Sequence, residues 1–203
     1  MKHPDLAEFA VSRETTDRLA AFVDLLLAWN RHINLISRRD EADVWTRHVF
    51  DALQLVPLLP SADSAIDIGS GGGFPGLVLA IATRIRFDLV EADQRKAAFL
   101  REAARCSGAP ASVHATRVET LRLPPAPLVT ARALAPLPML LTWSAPLLGP
   151  NGVCVLPKGQ NAANELTDAA REWHMRVERF PSRTDPTATI LRISEIRRVG
   201  PAR

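Results

Sequence analysis

The segment Asp67-Ile68-Gly69-Ser70-Gly71-Gly72-Gly73-Phe74-Pro75-Gly76 holds five of the chain's ten glycines and constrains the fold more than any other. Glycine admits positive φ and lets a ligand approach the main chain closely. A short apolar strand, Ala65-Ile66-Asp67-Ile68, leads into this turn, and an apolar helical run continues to about Thr83. Pro75 stands where that helix begins, a position its fixed φ suits. Strand, glycine turn and helix form the opening unit of an open α/β sheet, whose ligands bind at the carboxyl edge of the strands. Main-chain N–H groups at the helix start can receive an anionic group there.

The rest of the chain extends this unit. Strands are predicted at 87–91, 111–114, 128–133 and 153–156, with helices over 94–106 and 139–148 and a turn at 149–152. Such alternation builds a parallel, doubly wound, Rossmann-like α/β sheet with helices on both faces. Val177-Glu178-Arg179-Phe180 and Thr189-Ile190-Leu191-Arg192-Ile193, around a turn at Asp185-Pro186, predict a closing C-terminal β-hairpin. Ahead of the sheet, Leu19, Phe22, Val23, Leu26 and Trp29 recur at steps of three and four, giving one apolar face to a helix over 14–30. A second, continuous helix is predicted over 40–59, followed by a turn-rich joint at 61–64. The expected division is a small N-terminal helical cap, 1–62, and one α/β domain, 63–203.

Composition sets the compartment and narrows the partners. The longest apolar runs, such as Leu25-Leu26-Leu27-Ala28-Trp29, fall far short of the ~20 residues that span a bilayer. The opening Met1-Lys2-His3-Pro4-Asp5 carries no apolar stretch of a signal peptide. Cys106 and Cys154 are the only cysteines, lack metal-ligand spacing, and are expected as buried small hydrophobes in a reducing cytoplasm. The net charge of +3 is small, but arginine supplies 22 of the 25 basic residues. Arginine suits phosphate recognition through its planar fork, although a GC-rich genome produces the same bias. Charge permits an RNA partner without establishing one.

Glu91 ends the second predicted strand, 22 residues after Gly69. An acid there can accept both hydroxyls of a ribose, so turn and acid together predict an adenosine-containing ligand. Gly71, Gly73 and Gly76 fit the dinucleotide pattern G-x-G-x-x-G. In that register, however, the first glycine comes late for the tight turn. The pattern acidic-x-G-x-G-x-G instead starts at the strand end with Asp67, Gly69, Gly71 and Gly73, and favours S-adenosylmethionine, which has no pyrophosphate to seat. On this basis Gly71→Asp is expected to abolish cofactor binding through a Cβ clash and a misplaced charge.

With these motifs the chain resembles the RsmG family, also called GidB, bacterial methyltransferases of guanine N7 in small-subunit (16S) ribosomal RNA. The resemblance runs from about Leu25 to Ile193 and rests on Trp29-Asn30 with Asn34-Leu35, Arg47-His48 with Asp51, the glycine turn closed by Phe74-Pro75-Gly76, Arg117-Val118-Glu119, Arg132-Ala133 and Lys158-Gly159. It implies cofactor contacts at Gly69 and Phe74, an adenine region at Val118 and Glu119, and Arg132 at the mouth of the site. The chain departs from the family's usual pattern at Ile36, Pro127 and Ala131, where threonine, aspartate and serine are common.

Arg132, at the carboxyl end of one predicted strand, and Lys158, just after the next, are expected to face the cleft, holding an RNA phosphate or guanine O6. Arg117 beside Glu119 reads equally as a local ion pair. His48 and Asp51, three residues apart, are expected on one helix face in a structural hydrogen bond rather than a catalytic dyad. Asn34 is open between closing the pocket and stabilising a loop, while Trp29 and Trp45 are expected in the core. Three classes of function remain: an RNA methyltransferase acting as a monomer, a nicotinamide-dependent oxidoreductase, and a non-catalytic RNA-binding module.

Overall fold

The computed structural model describes Leu6, Phe9 and residues 11–200, so the signal-peptide reading of Met1 to Asp5 lies outside the described residues. Helix α1 (Arg13–Asn30) starts at Ser12, whose hydroxyl accepts from the Thr15 N–H, and buries Leu19, Ala20, Phe22, Val23 and Leu26. This is the face that the three- and four-residue spacing requires.

The second helix is not continuous. A 3₁₀ turn (Arg38–Asp40) precedes a π-helical stretch (Trp45–Phe50), which runs into the three-residue α2 (Asp51–Leu53), and a further 3₁₀ turn covers Val56–Leu58. Pro57 has no N–H to continue an α-helical ladder. Single turns of π-winding recur at functional sites, and this one carries His48 and leads directly to Asp51.

Seven strands make one sheet: β1 (Ser64–Ile68), β2 (Arg86–Val90), β3 (Ala111–His114), β4 (Ala126–Thr130), β5 (Leu148–Lys158), β6 (Trp173–Pro181) and β7 (Thr189–Arg198), in the order β3-β2-β1-β4-β5-β7-β6. Strands β1 to β5 pair in parallel, while β7 is antiparallel to both β5 and β6, the expected closing hairpin. The order reverses between β1 and β4, the switch point at which an open α/β sheet leaves a crevice.

Helices α3 (Gly76–Thr83), α4 (Gln94–Ser107) and α5 (Leu137–Ser144) follow β1, β2 and β4, and α6 (Ala162–Ala169), absent from the sequence-based expectation, follows β5. Residues 76–81 of α3 are all buried, as befits a helix apolar on every side. The Asp93 carboxylate caps α4 by accepting from the Arg95 and Lys96 N–H groups, and Gly108 ends it at φ 61°.

Several strand boundaries differ from expectation: β2 stops at Val90, just before Glu91, and β6 and β7 are longer than the predicted hairpin strands. Strand β4 ends at Thr130 rather than at 133, because Ala133 takes a left-handed φ of 52°. Strand β5 is longer and absorbs the predicted turn at 149–152 as an irregularity, where the register with β4 shifts and Asn151 sits at φ 59°.

Leu19, Phe22 and Leu26 of α1 share one core with Leu77, Phe87, Phe99 and Leu100, so the helical segment and the sheet domain stabilise one another. A second cluster joins Ile66, Val129, Leu137, Leu141, Leu156 and Leu191. Each such side chain contributes about 1.5–3 kcal/mol on burial. Cys154 is buried as expected, but Cys106 is exposed, on the face of α4 that carries Glu102 and Arg105. Among the described residues no helix is long and apolar enough to cross a membrane.

Candidate active site

A cleft of about 490 Å³ opens at the carboxyl edge of the sheet, a volume suited to one small organic ligand. Its walls are the glycine turn after β1, Glu91 after β2, Val118 and Glu119 after β3, and Arg132 after β4. Leu35, Ile36 and His48 close it from the N-terminal segment.

Within the turn, Gly69, Gly71 and Gly73 have φ of 71°, 53° and 92°. These are the glycines of the acidic-x-G-x-G-x-G register. Gly76 serves a different purpose. A Cβ there would stand 2.5 Å from Asp67 Cβ and 2.6 Å from its Oδ2, so the missing side chain lets α3 pack against β1. At Gly71 a Cβ would meet only the Gly69 carbonyl oxygen, at 3.7 Å. The expected clash in Gly71→Asp therefore does not exist. That substitution acts instead through its charge and through the positive φ of 53°, at a residue whose N–H donates to Glu91 Oε2 at 2.8 Å.

Glu91 is half-buried, and its Oε1 accepts from the Asp93 N–H at 2.8 Å. A carboxylate offers about four lone-pair sites, so it can hold the turn and still accept from a ligand. Val118 and Glu119 belong to a 3₁₀ turn (Val118–Thr120) that borders the cleft. Arg117 Nε lies 3.6 Å from Glu119 Oε2 with both side chains exposed, a pair of little energetic weight.

Arg132 occupies the rim. Its Nη1 donates to Asp51 Oδ2 at 3.1 Å and to the Arg47 carbonyl at 3.2 Å, and its Nη2 donates to His48 Nδ1 at 2.8 Å. The guanidinium carbon lies 5.2 Å from the centre of the Phe74 ring, and His48 stacks on that ring at 4.9 Å. His48 and Asp51 thus share a face as expected, and both address Arg132. Arginine can only donate, so His48 Nδ1 carries no proton. Burial, aided by the Arg132 charge, lowers the His48 pKa from 6.5 to about 4.

Asp67 has the opposite shift. It is fully buried beneath the turn, and burial raises its pKa from 3.8 to about 6 although the Thr130 and Ser70 hydroxyls lower it. From about pH 4 to 6.5 the unfolded chain holds a proton at His48 that the folded chain lacks, so stability rises with pH. From about pH 4 to 6 the folded chain holds a proton at Asp67 that the unfolded chain lacks, so stability falls with pH. The two slopes offset each other. Replacing His48 by glutamine removes the first, and denaturant titrations are expected to show the wild type gaining stability relative to the variant as pH is raised from about 4 to 6.5. Parallel stability profiles of the two proteins across that window would contradict a neutral His48.

The remaining expected residues are dispersed. Lys158 does not reach the cofactor cleft: it lines an adjoining one, its side chain is 9% exposed, and its Nζ lies 2.7 Å from Glu165 Oε2 and donates to the Ala135 carbonyl at 3.0 Å. Asn34 is exposed and outside the cleft. Its neighbour Asn30 organises the loop instead, its Oδ1 accepting from the Leu35 and Ile36 N–H groups at 2.8 and 3.0 Å. That bond set presents Leu35 and Ile36, one of the departures from the family pattern, to the cleft. Trp29 and Trp45 are half-buried against the core, with Trp29 5.7 Å from Phe99. Gln54, which sequence reasoning missed, is 5% exposed and donates to Asp51 Oδ1 at 2.8 Å. A lone amide in the apolar run Ala52-Leu53-Gln54-Leu55-Val56 was its signal.

The fold is shared with solved methyltransferases. An O-methyltransferase from Bacillus cereus in complex with SAH superposes with a TM-score of 0.59 at 14% identity, over 86% of this chain and 90% of that one. The N-methyltransferase NodS from Bradyrhizobium japonicum gives 0.53 at 11% identity, over 76% and 97%. Curated relatives are far closer in sequence. Ribosomal RNA small subunit methyltransferase G of Granulibacter bethesdensis is 58% identical over 190 residues, 93% of this chain and 89% of the relative. The protein of the same name from Gluconobacter oxydans is 53% identical over 189 residues, 93% and 98%. The model of the GidB family, described as rRNA small subunit methyltransferase G, matches residues 15–188, and the chain belongs to that family.

Proposed function

We propose that this protein transfers the methyl group of S-adenosylmethionine to N7 of a guanine in small-subunit (16S) ribosomal RNA, as a cytoplasmic monomer. The observation that carries this reading is the positive-φ glycine turn, in the acidic-x-G-x-G-x-G register, opening with Glu91 onto a cleft rimmed by Arg132. Family membership supplies the RNA class.

The cofactor supplies a methyl group activated on sulfur, chemistry that belongs to the cofactor. Guanine N7 has a free lone pair and no proton, so no general base is required. What remains for the protein is placement, and orientation of this kind contributes ~7–11 kcal/mol to lowering a barrier. In this reading Gly69, Gly71 and Phe74 receive the methionine part, Glu91 accepts the ribose hydroxyls, and Val118 and Glu119 border the adenine. Arg132 donates to guanine O6 or to a phosphate oxygen of the target nucleotide. Lys158 acts at one remove. Through Glu165, which also accepts from the Leu137 N–H at 2.6 Å, it fixes the segment that follows Arg132.

Glu91→Ala removes an acceptor and frees the Gly71 N–H, so calorimetry is expected to show cofactor affinity weakened by roughly 1–3 kcal/mol. Equal affinity would remove Glu91 from the site. The reaction itself is tested with labelled cofactor and immature small subunits. Label is expected in the RNA, and transfer is expected to fall as salt is raised, because phosphate contacts release counterions. Tight NAD(P) binding without S-adenosylmethionine binding would favour the oxidoreductase and overturn the proposal.

A further inference from the structure

The Asp51 carboxylate is shared between the active-site rim and a distant turn. Its Oδ2 accepts from Arg132, and its Oδ1 accepts from the Thr184 hydroxyl at 2.8 Å and from Gln54 Nε2 at 2.8 Å. Gln54 is itself held by the same turn, its Oε1 accepting from the Arg183 N–H at 2.7 Å. A carboxylate is planar and rigid, so fixing Oδ1 also fixes where Oδ2 lies and hence where the Arg132 fork points. The residues involved are separated by 81 positions (Asp51 to Arg132) and 133 positions (Asp51 to Thr184). The turn therefore brings no local helix or strand logic to this contact.

The turn and Arg132 also face one hollow. A second cleft of about 240 Å³ is lined by Arg132, Asp51, Arg47, Thr184 and Asp185. Arg132 and Ala133 line both this cleft and the cofactor cleft, which makes the guanidinium the boundary between them. We propose that Asp51, Gln54 and Thr184 are positioning residues for methyl transfer: through the Asp51 carboxylate, the turn between β6 and β7 sets the Arg132 guanidinium between the cofactor cleft and the adjoining cleft. This rests on the reading of Arg132 as the group that orients the target nucleotide. It makes the C-terminal hairpin part of the reaction's machinery and not only an edge of the sheet.

A double-mutant cycle tests the proposal, using Thr184→Val and Arg132→Lys, with methyl transfer to immature small subunits as the readout and melting temperature as the control. Thr184 is half-exposed on a turn, so its hydroxyl can be removed with little effect on folding. Thr184→Val is expected to lower kcat/KM about tenfold in the wild-type background and to add almost nothing to Arg132→Lys, the coupling expected of residues in one network. Thr184→Ser is expected to restore the wild-type value. Gln54→Leu, acting on the same carboxylate, is expected to fall in the same direction as Thr184→Val. An equal effect of Thr184→Val in both backgrounds overturns the proposal, as does no effect in the wild type. An Arg132→Lys protein of full activity would instead overturn the reading of Arg132, so the two failures are distinct.

Discussion

A Gly76→Ala protein is expected to lose S-adenosylmethionine binding and to melt well below the wild type. The added Cβ would sit 2.5 Å from Asp67 Cβ and 2.6 Å from its Cγ. Asp67 is 0% exposed, and its Oδ1 accepts from the Thr130 hydroxyl at 2.6 Å, so its short side chain has nowhere to go. Either α3 moves away from β1 or the turn deforms. Overpacking of this kind costs roughly 1–3 kcal/mol, which at about 3 °C per kcal/mol is a fall of roughly 3–9 °C. Gly71→Ala is the control, because its Cβ would make only an ordinary contact with the Gly69 carbonyl oxygen, at 3.7 Å, and only the positive φ is penalised. It is expected to retain more cofactor affinity than Gly76→Ala. Calorimetry and thermal melts read both effects, and normal binding by Gly76→Ala would show that close packing at that position does not shape the site.

Arg132→Ala is expected to reduce kcat/KM for methyl transfer by about a hundredfold or more, the scale on which misplacing a reacting group acts. The substitution removes donors to Asp51, His48 and the Arg47 carbonyl together with the contact over Phe74. It also leaves the Asp51 carboxylate, 16% exposed, without its cation. Cofactor affinity is expected to fall less, since Arg132 stands at the rim and not in the glycine turn. Separate measurements of cofactor Kd and of kcat/KM check this split. Equal losses in both would make Arg132 a cofactor ligand alone.

What the sequence made legible was local. The apolar spacing in α1, the alternation of strands and helices, and the glycine turn each follow from neighbours a few residues apart. Glu91 was found because a strand places it at a fixed distance from the turn. The network around Arg132 was not legible, because its members come from the N-terminal segment, the end of β4 and the β6–β7 turn. The position of Lys158 was not legible either, because the carboxylate that holds it, Glu165, lies on α6, seven residues further along the chain. Asn30 and Asn34 are separated only by the path of the loop between them. The π-helical stretch also escaped, since apolar periodicity cannot tell α from π winding over six residues.

Methylation of guanine N7 in small-subunit ribosomal RNA leaves a mark that can be read chemically. An N7-methylguanosine becomes a site of strand scission after borohydride reduction and aniline treatment. Applied to 16S RNA from cells with and without this gene, the reaction is predicted to cut at a guanine that stays intact when the gene is absent. It is predicted to cut there again when the wild-type protein, but not Arg132→Ala, is restored. The same scission pattern in every strain would contradict the account.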